Sequence, residues 1–320
     1  MAKDQKSPDN TAAPPKCEVW AVAGGKGGTG KSFLVSSIAT ALAKKQNRVI
    51  MLDLDLGGAN LHSFFGLNGP RPSLTAFFES GSRLEELSTS TGVENLSLIT
   101  GNLESMTSGS IKASQRQKLY RQMAKLDGRY MIVDLGAGCH PNTLDMFLMA
   151  DRMIALIVPE ITSIENMYVF VKNALFRKVV YALKGAEFKN LVRDVWLQRG
   201  TRGIKNIKDL IDYLRTNYPL ADEVLGRELD GFKIYLLANM TRDHKDIALG
   251  QSVKSVLQKY LGLDACFAGA VEYDDAVRQS VREGRPFMLN HLSSPCTKQI
   301  TDLIDNIIKS RESRPPGIQP

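Results

Sequence analysis

The octapeptide Gly25-Lys26-Gly27-Gly28-Thr29-Gly30-Lys31-Ser32 restricts this chain more than any other feature of its 320 residues. It fits the phosphate-binding pattern G-x-x-x-x-G-K-[S/T] and stands in the context that pattern needs. An apolar run at 19–23 reads as a strand before it, and Leu34, Ile38, Ala41 and Leu42 recur after it on one helix face. The glycines let backbone N–H groups curl around phosphate oxygens, and a helix opening at Lys31 turns its positive dipole end to the same point. Lys31 is expected to reach the β- and γ-phosphates, and the Ser32 hydroxyl to ligate Mg²⁺. ATP and Mg²⁺ are therefore the expected ligands.

The rest of the chain keeps the same rhythm. Apolar runs at 49–52, 96–99, 131–133, 153–158, 234–238 and 266–271 alternate with helical periods, and most end in a polar residue or glycine. Short continuous runs between helices indicate a parallel sheet covered on both faces. The predicted fold class is α/β, a doubly wound, mostly parallel sheet flanked by helices, with ligands at the carboxyl ends of the strands. Between about 176 and 230 the alternation stops and two or three helices follow one another, which reads as a helical insertion. The expected organisation is a disordered tail at 1–16, one ATPase domain at 17–311 carrying that insertion, and a flexible tail at 312–320.

Several strand ends carry chemistry. Asp53 and Asp55 close the second run, and two residues apart on a strand their side chains leave the same face. Such a pair suits a Mg²⁺ and water network beside a triphosphate. Asp134 follows Tyr130-Met131-Ile132-Val133, the apolar run plus Asp that holds Mg²⁺ through water. Asn239 closes a later run, with Arg242 near it. Lys26 is out of the ordinary: a second lysine in the loop crowds like charge in an empty site and becomes favourable once a triphosphate is bound.

With that second lysine the loop resembles the deviant Walker A box of the MinD/ParA ATPases. The resemblance implies that Lys26 reaches across a dimer interface to the partner's nucleotide, acting like an arginine finger, and that ATP drives homodimerisation. Segment 53–61 resembles the family's switch I, including Gly57 and Asn60. By that likeness Asp55 positions the hydrolytic water and Asp53 tunes the metal shell. Asp134-Leu135-Gly136-Ala137-Gly138 resembles switch II, where Gly136 and Gly138 let the loop move when the γ-phosphate leaves. Asn239 matches the adenine-contacting Asn. The stretches 52–67, 134–147 and 273–278 are similar to the flagellar-number regulators of the FlhG/FleN type. Three departures stand out. Asp4-Gln5-Lys6 does not continue into those regulators' DQAxxLR-like segment. The last helix puts Ile300, Leu303, Ile304, Ile307 and Ile308 on one face with balanced charge, a core helix and not a membrane-targeting one. The helical insertion lies outside the family's minimal pattern.

Composition narrows the remaining classes. No apolar run approaches the length of a membrane span. The start is polar, with Pro8, Pro14 and Pro15 and no apolar segment of a secretory signal. Cys17, Cys139, Cys266 and Cys296 are scattered with no C-x-x-C pair, which disfavours a cluster carrier and suits a cytoplasmic location. The formal net charge is +7, and 177–208 alone holds nine Lys/Arg against Glu187 and Asp194. With the resemblance, three functions stand: a switch that spatially regulates a cellular assembly, such as flagellar number or placement, through a protein partner at a pole; a nucleoid-associated partition ATPase of the ParA kind binding nucleic acid through 177–208; or a metabolic or cluster-carrier ATPase.

Overall fold

All seven apolar runs form strands. The computed structural model describes residues 17–55, 58–69, 72–101, 112–185, 188 and 190–312. The strands are β1 (Glu18–Gly24), β2 (Val49–Leu54), β3 (Thr89–Ser90), β4 (Leu96–Ile99), β5 (Tyr130–Leu135), β6 (Arg152–Ile157), β7 (Ile234–Thr241) and β8 (Cys266–Glu272). They make one eight-stranded sheet in the order β3-β4-β2-β5-β1-β6-β7-β8. Every neighbouring pair is parallel except β3–β4. β3 lacks an apolar signature, being two polar residues paired antiparallel to the edge of β4.

The helices are α1 (Lys31–Lys44), α2 (Ala113–Met123), α3 (Pro141–Leu148), α4 (Ile161–Ala182), α5 (Leu191–Leu197), α6 (Ile207–Asn217), α7 (Pro219–Leu229), α8 (His244–Leu261), α9 (Asp275–Glu283), α10 (Phe287–Asn290) and α11 (Pro295–Glu312). Alternate strand residues feed two cores. Trp20, Met51 and Ile132 meet Leu34 and Ile38 of α1 and Ile304 and Ile307 of α11. Ala21, Leu52 and Val133 meet Phe170 and Leu175 of α4 and Leu257 of α8 on the other face. This is the two-sided cover that continuous apolar strands require. α1 is buried nearly all round, so its sequence reads apolar on more than one face.

Two boundaries move. The alternation was expected to break at 176, but α4 runs through it: Met167, Phe170, Val171, Ala174, Leu175 and Val179 keep one buried stripe without a Gly or Pro to stop it. The insertion is the three helices α5, α6 and α7, whose Val195, Leu210, Leu214 and Leu225 join the main core. α11 is a core helix, as its composition implies, and its backbone reaches Glu312, one residue into the expected tail. The tail 1–16 lies outside the described residues, as do 313–320. No helix among the described residues is long and apolar enough to cross a membrane.

Candidate nucleotide-binding site

β1 ends at Gly24, and α1 opens at Lys31, so the loop between them lies at the carboxyl edge of the sheet. Two of its glycines are fixed by what surrounds them. A Cβ on Gly25 would stand 2.3 Å from the carbonyl carbon of Asn166 and 2.5 Å from the Met167 nitrogen, because the backbone of α4 lies against the loop. Gly30 has φ +84° and caps α1, and a Cβ there would fall 2.3 Å from Asn239 Nδ2. Nothing lies within 4 Å of a Cβ on Gly27 or Gly28, which leaves that side of the loop open to a ligand. Thr29 and Lys31 are buried.

The buried Asn239 donates from Nδ2 to the Thr29 carbonyl at 2.9 Å, which ties the end of β7 to the loop. Met240 beside it takes a positive φ of 58° at a bulge in β7, and its Cε approaches Gly30. Arg242 lies at the same strand end, where its guanidinium stacks on Tyr273, 4.6 Å from the ring centroid. Its backbone N–H donates to Asp246.

Asp53 and Asp134 are register partners on β2 and β5. Each is 1% exposed. The Asp53 carboxylate accepts the backbone N–H groups of Asp55 and Leu61, both at 3.1 Å. Burial nevertheless pushes its pKa up to about 6, with the Asp55 charge adding to the rise. Asp134 is pushed up to about 7 by burial and then by the Asp53 charge, while the Ser32 hydroxyl and Lys31 pull the other way. Asp134 Oδ1 is buried without a hydrogen-bond partner. An orphaned carboxylate oxygen beside a serine hydroxyl and a second carboxylate fits a hard divalent cation. No group of three or more His, Cys, Asp or Glu with metal-binding placement exists among the described residues. A Mg²⁺ held by Ser32 and Asp134 would complete its shell from phosphate and water, which is its habit.

Asp55 follows β2, and its carboxylate faces switch II: a Cβ on Gly136 would come 3.3 Å from Asp55 Oδ1. Gly138, with φ +86°, donates its N–H to the Gly24 carbonyl at 3.4 Å, joining switch II to the phosphate loop. Asn60 is exposed and precedes the turn Leu61–Phe65. Gly57 lies outside the described residues. The other expected site residues gather at this same edge, with Arg242 at its β7 end.

Lys26 does not turn into its own loop. Its Nζ donates to Glu160 Oε2 at 3.1 Å and to Thr162 Oγ1 at 3.4 Å. Glu160 is the residue before α4, and Ile161 next to it is 76% exposed. Sequence reading missed Glu160, Thr162 and Asn166. The run at 153–158 ends beside Pro159-Glu160, and the rule that ligands gather at strand ends could have flagged them.

Switch II leads into α3, which is firmly anchored. His140 caps it by accepting the Asn142 N–H at 3.3 Å. Asp145, buried, takes both arms of Arg177, the Tyr181 hydroxyl at 3.0 Å and Arg116 at 3.1 Å. The expected basic patch is correspondingly reduced. Arg177 is spent on Asp145, Lys178 pairs with Glu228 and Lys208 with Asp212. Lys189 lies outside the described residues.

The comparisons agree with this geometry. A family model described as the CobQ/CobB/MinD/ParA nucleotide binding domain matches residues 20–287. The antiactivator FleN of Pseudomonas aeruginosa is 27% identical over 157 residues, 48% of this chain and 55% of FleN. The flagellum site-determining protein YlxH of Helicobacter pylori is 30% identical over 157 residues, 48% of this chain and 52% of YlxH. The chain thus spans about half the length of these two curated relatives. In fold it is similar to the septum site-determining protein MinD of Pyrococcus horikoshii, solved with Mg-ADP: TM-score 0.59, 18% identity, 92% of this chain and 97% of that one.

Proposed function

The chain belongs to the CobQ/CobB/MinD/ParA family of nucleotide-binding proteins, and from that premise we propose that it is a Mg²⁺-dependent ATPase working as an ATP-gated homodimerisation switch. Through a protein partner it regulates the number or placement of a cellular assembly, the flagellum being the one that FleN and YlxH suggest.

The observation that carries this reading is Lys26. A catalytic lysine serving its own site would point at the phosphates. This one sits at the rim, its side chain 45% exposed, on a Glu160 that is 59% exposed. An exposed ion pair is a weak tether, worth roughly 0–1 kcal/mol. A triphosphate on a second copy offers far more charge, and Ile161 beside the pair presents apolar surface for that copy to cover. Within each copy Lys31 neutralises phosphate charge, Ser32 and Asp134 hold the cation, and Asp55 orients the attacking water. A Mg²⁺ held by Ser32 and Asp134 would supply neutralisation of phosphate charge. Asp55→Ala is expected to bind ATP, remain dimeric and hydrolyse slowly. Light scattering on that variant in ATP and in ADP tests it; a monomer in ATP would sink the switch.

A further inference from the structure

α5 ends in an apolar side chain that nothing covers. Its Val192 and Val195 are buried in the main core. Leu197 at its last position is 69% exposed. Trp196 beside it is half-buried and packs on Phe176 with ring centroids 5.6 Å apart. Around this tip stand Arg193, Arg199, Arg202 and Lys205, all exposed.

None of these four cations pairs with a carboxylate among the described residues. Arg199 lies over the Trp196 ring, 5.1 Å from its centroid, and donates to the Trp196 carbonyl at 3.2 Å. Arg202 lies over Tyr213 at 5.2 Å and donates to its hydroxyl and to Gln198 Oε1. Asp209 accepts the Lys205 backbone N–H and the Asp209 N–H is held by Asn206. Stacking fixes where the guanidinium groups sit without neutralising them. The tip therefore holds a standing excess of positive charge around one exposed leucine and an amphipathic indole.

We infer that this tip, 193–205, is a peripheral contact for an anionic lipid surface. The arginines meet phosphate headgroups, and Leu197 with the Trp196 edge enters the boundary between headgroups and acyl chains. A lone exposed leucine is ordinary; one on a segment that carries Arg193, Arg199, Arg202 and Lys205 against the single exposed carboxylate of Asp194, and that is flanked by tryptophan, has the composition of an interfacial contact. Duplex nucleic acid could use the same cations, but its phosphates give Leu197 nothing to do.

The inference does not depend on the dimerisation switch, so the test is run on the full chain both with ATP and without nucleotide. It is co-sedimentation with vesicles of phosphatidylcholine mixed with phosphatidylglycerol, against phosphatidylcholine alone. Selective binding to the anionic vesicles is expected, weakened at least about fivefold by Leu197→Ser and further by Arg199→Glu with Arg202→Glu. All these side chains are exposed, and unchanged thermal melting shows that the variants fold. Sedimentation with neither vesicle, equal sedimentation with both, or no loss in Leu197→Ser overturns the inference. So does retention on duplex DNA that the double arginine variant loses and Leu197→Ser keeps, which would assign the tip to nucleic acid.

Discussion

Asp53 and Asp134 stand side by side on adjacent parallel strands, both sealed from solvent, and only Asp53 has its oxygens capped by backbone N–H groups. In the nucleotide-free protein their charged forms are therefore penalised, with pKa values raised to about 6 and about 7. A carboxylate raised in the folded state favours folding when protonated. That contribution is complete below the unfolded value of 3.8 and is lost as pH rises through the folded values. The nucleotide-free protein should lose melting temperature between about pH 5 and about pH 8. Asp134→Asn should flatten the profile and raise stability at pH 8 by about 1–3 kcal/mol, a shift of several degrees. Thermal scans across that range check it. A variant less stable than the parent at pH 8 would show that the buried charge is compensated.

Asp145 has the opposite balance. Its carboxylate is buried and meets Arg116, Arg177 and Tyr181, so its removal takes away the acceptor that these three side chains share. Asp145→Ala should destabilise the fold by about 3 kcal/mol, with roughly a 6–12 °C drop in melting temperature. Tyr181→Phe removes one hydrogen bond and should cost about 1 kcal/mol. Denaturant titration of both variants separates the two contributions. Equal losses would mean that the arginines find other partners.

The parts of this protein that sequence made legible are those whose causes are local. Six of the seven strands showed as apolar runs because their faces are largely buried, β8 at the edge being apolar but only half-buried, and Asp53, Asp134 and Asn239 showed because each closes such a run. β3 was invisible, since Thr89 and Ser90 owe their extended form to β4 alone. The insertion reads as starting near 176 because no further apolar strand run follows until 234, whereas the stripe through Ala174 and Val179 carries α4 on to Ala182. Long-range pairing hid the rest. Glu160 lies 134 residues from Lys26, and Arg177 reads as surface charge until α3 places Asp145 against it. Arg242 was grouped with Asn239 by proximity along the strand, and only the fold shows it turned toward Tyr273.

Gly25 is the loop position least able to accept a side chain. The obstacle is the α4 backbone at Asn166 and Met167, which cannot rotate aside. Gly25→Ala must push the loop or α4 outward by about an ångström to restore ordinary contact, and overpacking of this kind costs about 1–3 kcal/mol or more. The displaced N–H groups would no longer converge on phosphate, so nucleotide affinity should fall by at least tenfold, roughly the loss of one charge-assisted hydrogen bond. Gly200→Ala, outside the loop, meets open space and is the control for an added methyl alone. Fluorescent-nucleotide titration of both compares them; equal affinities would remove α4 from the argument.

On the proposed switch, Lys26 would have to leave Glu160 and Thr162 to act on a second copy's nucleotide, so this contact would oppose dimerisation. Glu160→Gln keeps the shape and removes the charge. Both partners are largely exposed, so stability should change by less than about 0.5 kcal/mol. The dimerisation equilibrium in ATP should tighten by up to about fivefold, the limit set by an exposed ion pair of roughly 1 kcal/mol. The effect should shrink at high salt, where screening already loosens the pair. Lys26→Ala removes both the restraint and the reaching group, and should leave ATP binding intact while abolishing the ATP-dependent dimer. Sedimentation velocity in ATP at low and high salt reads all three proteins. If Glu160→Gln weakens the dimer, then Glu160 is itself part of the closed interface and the restraint lies elsewhere.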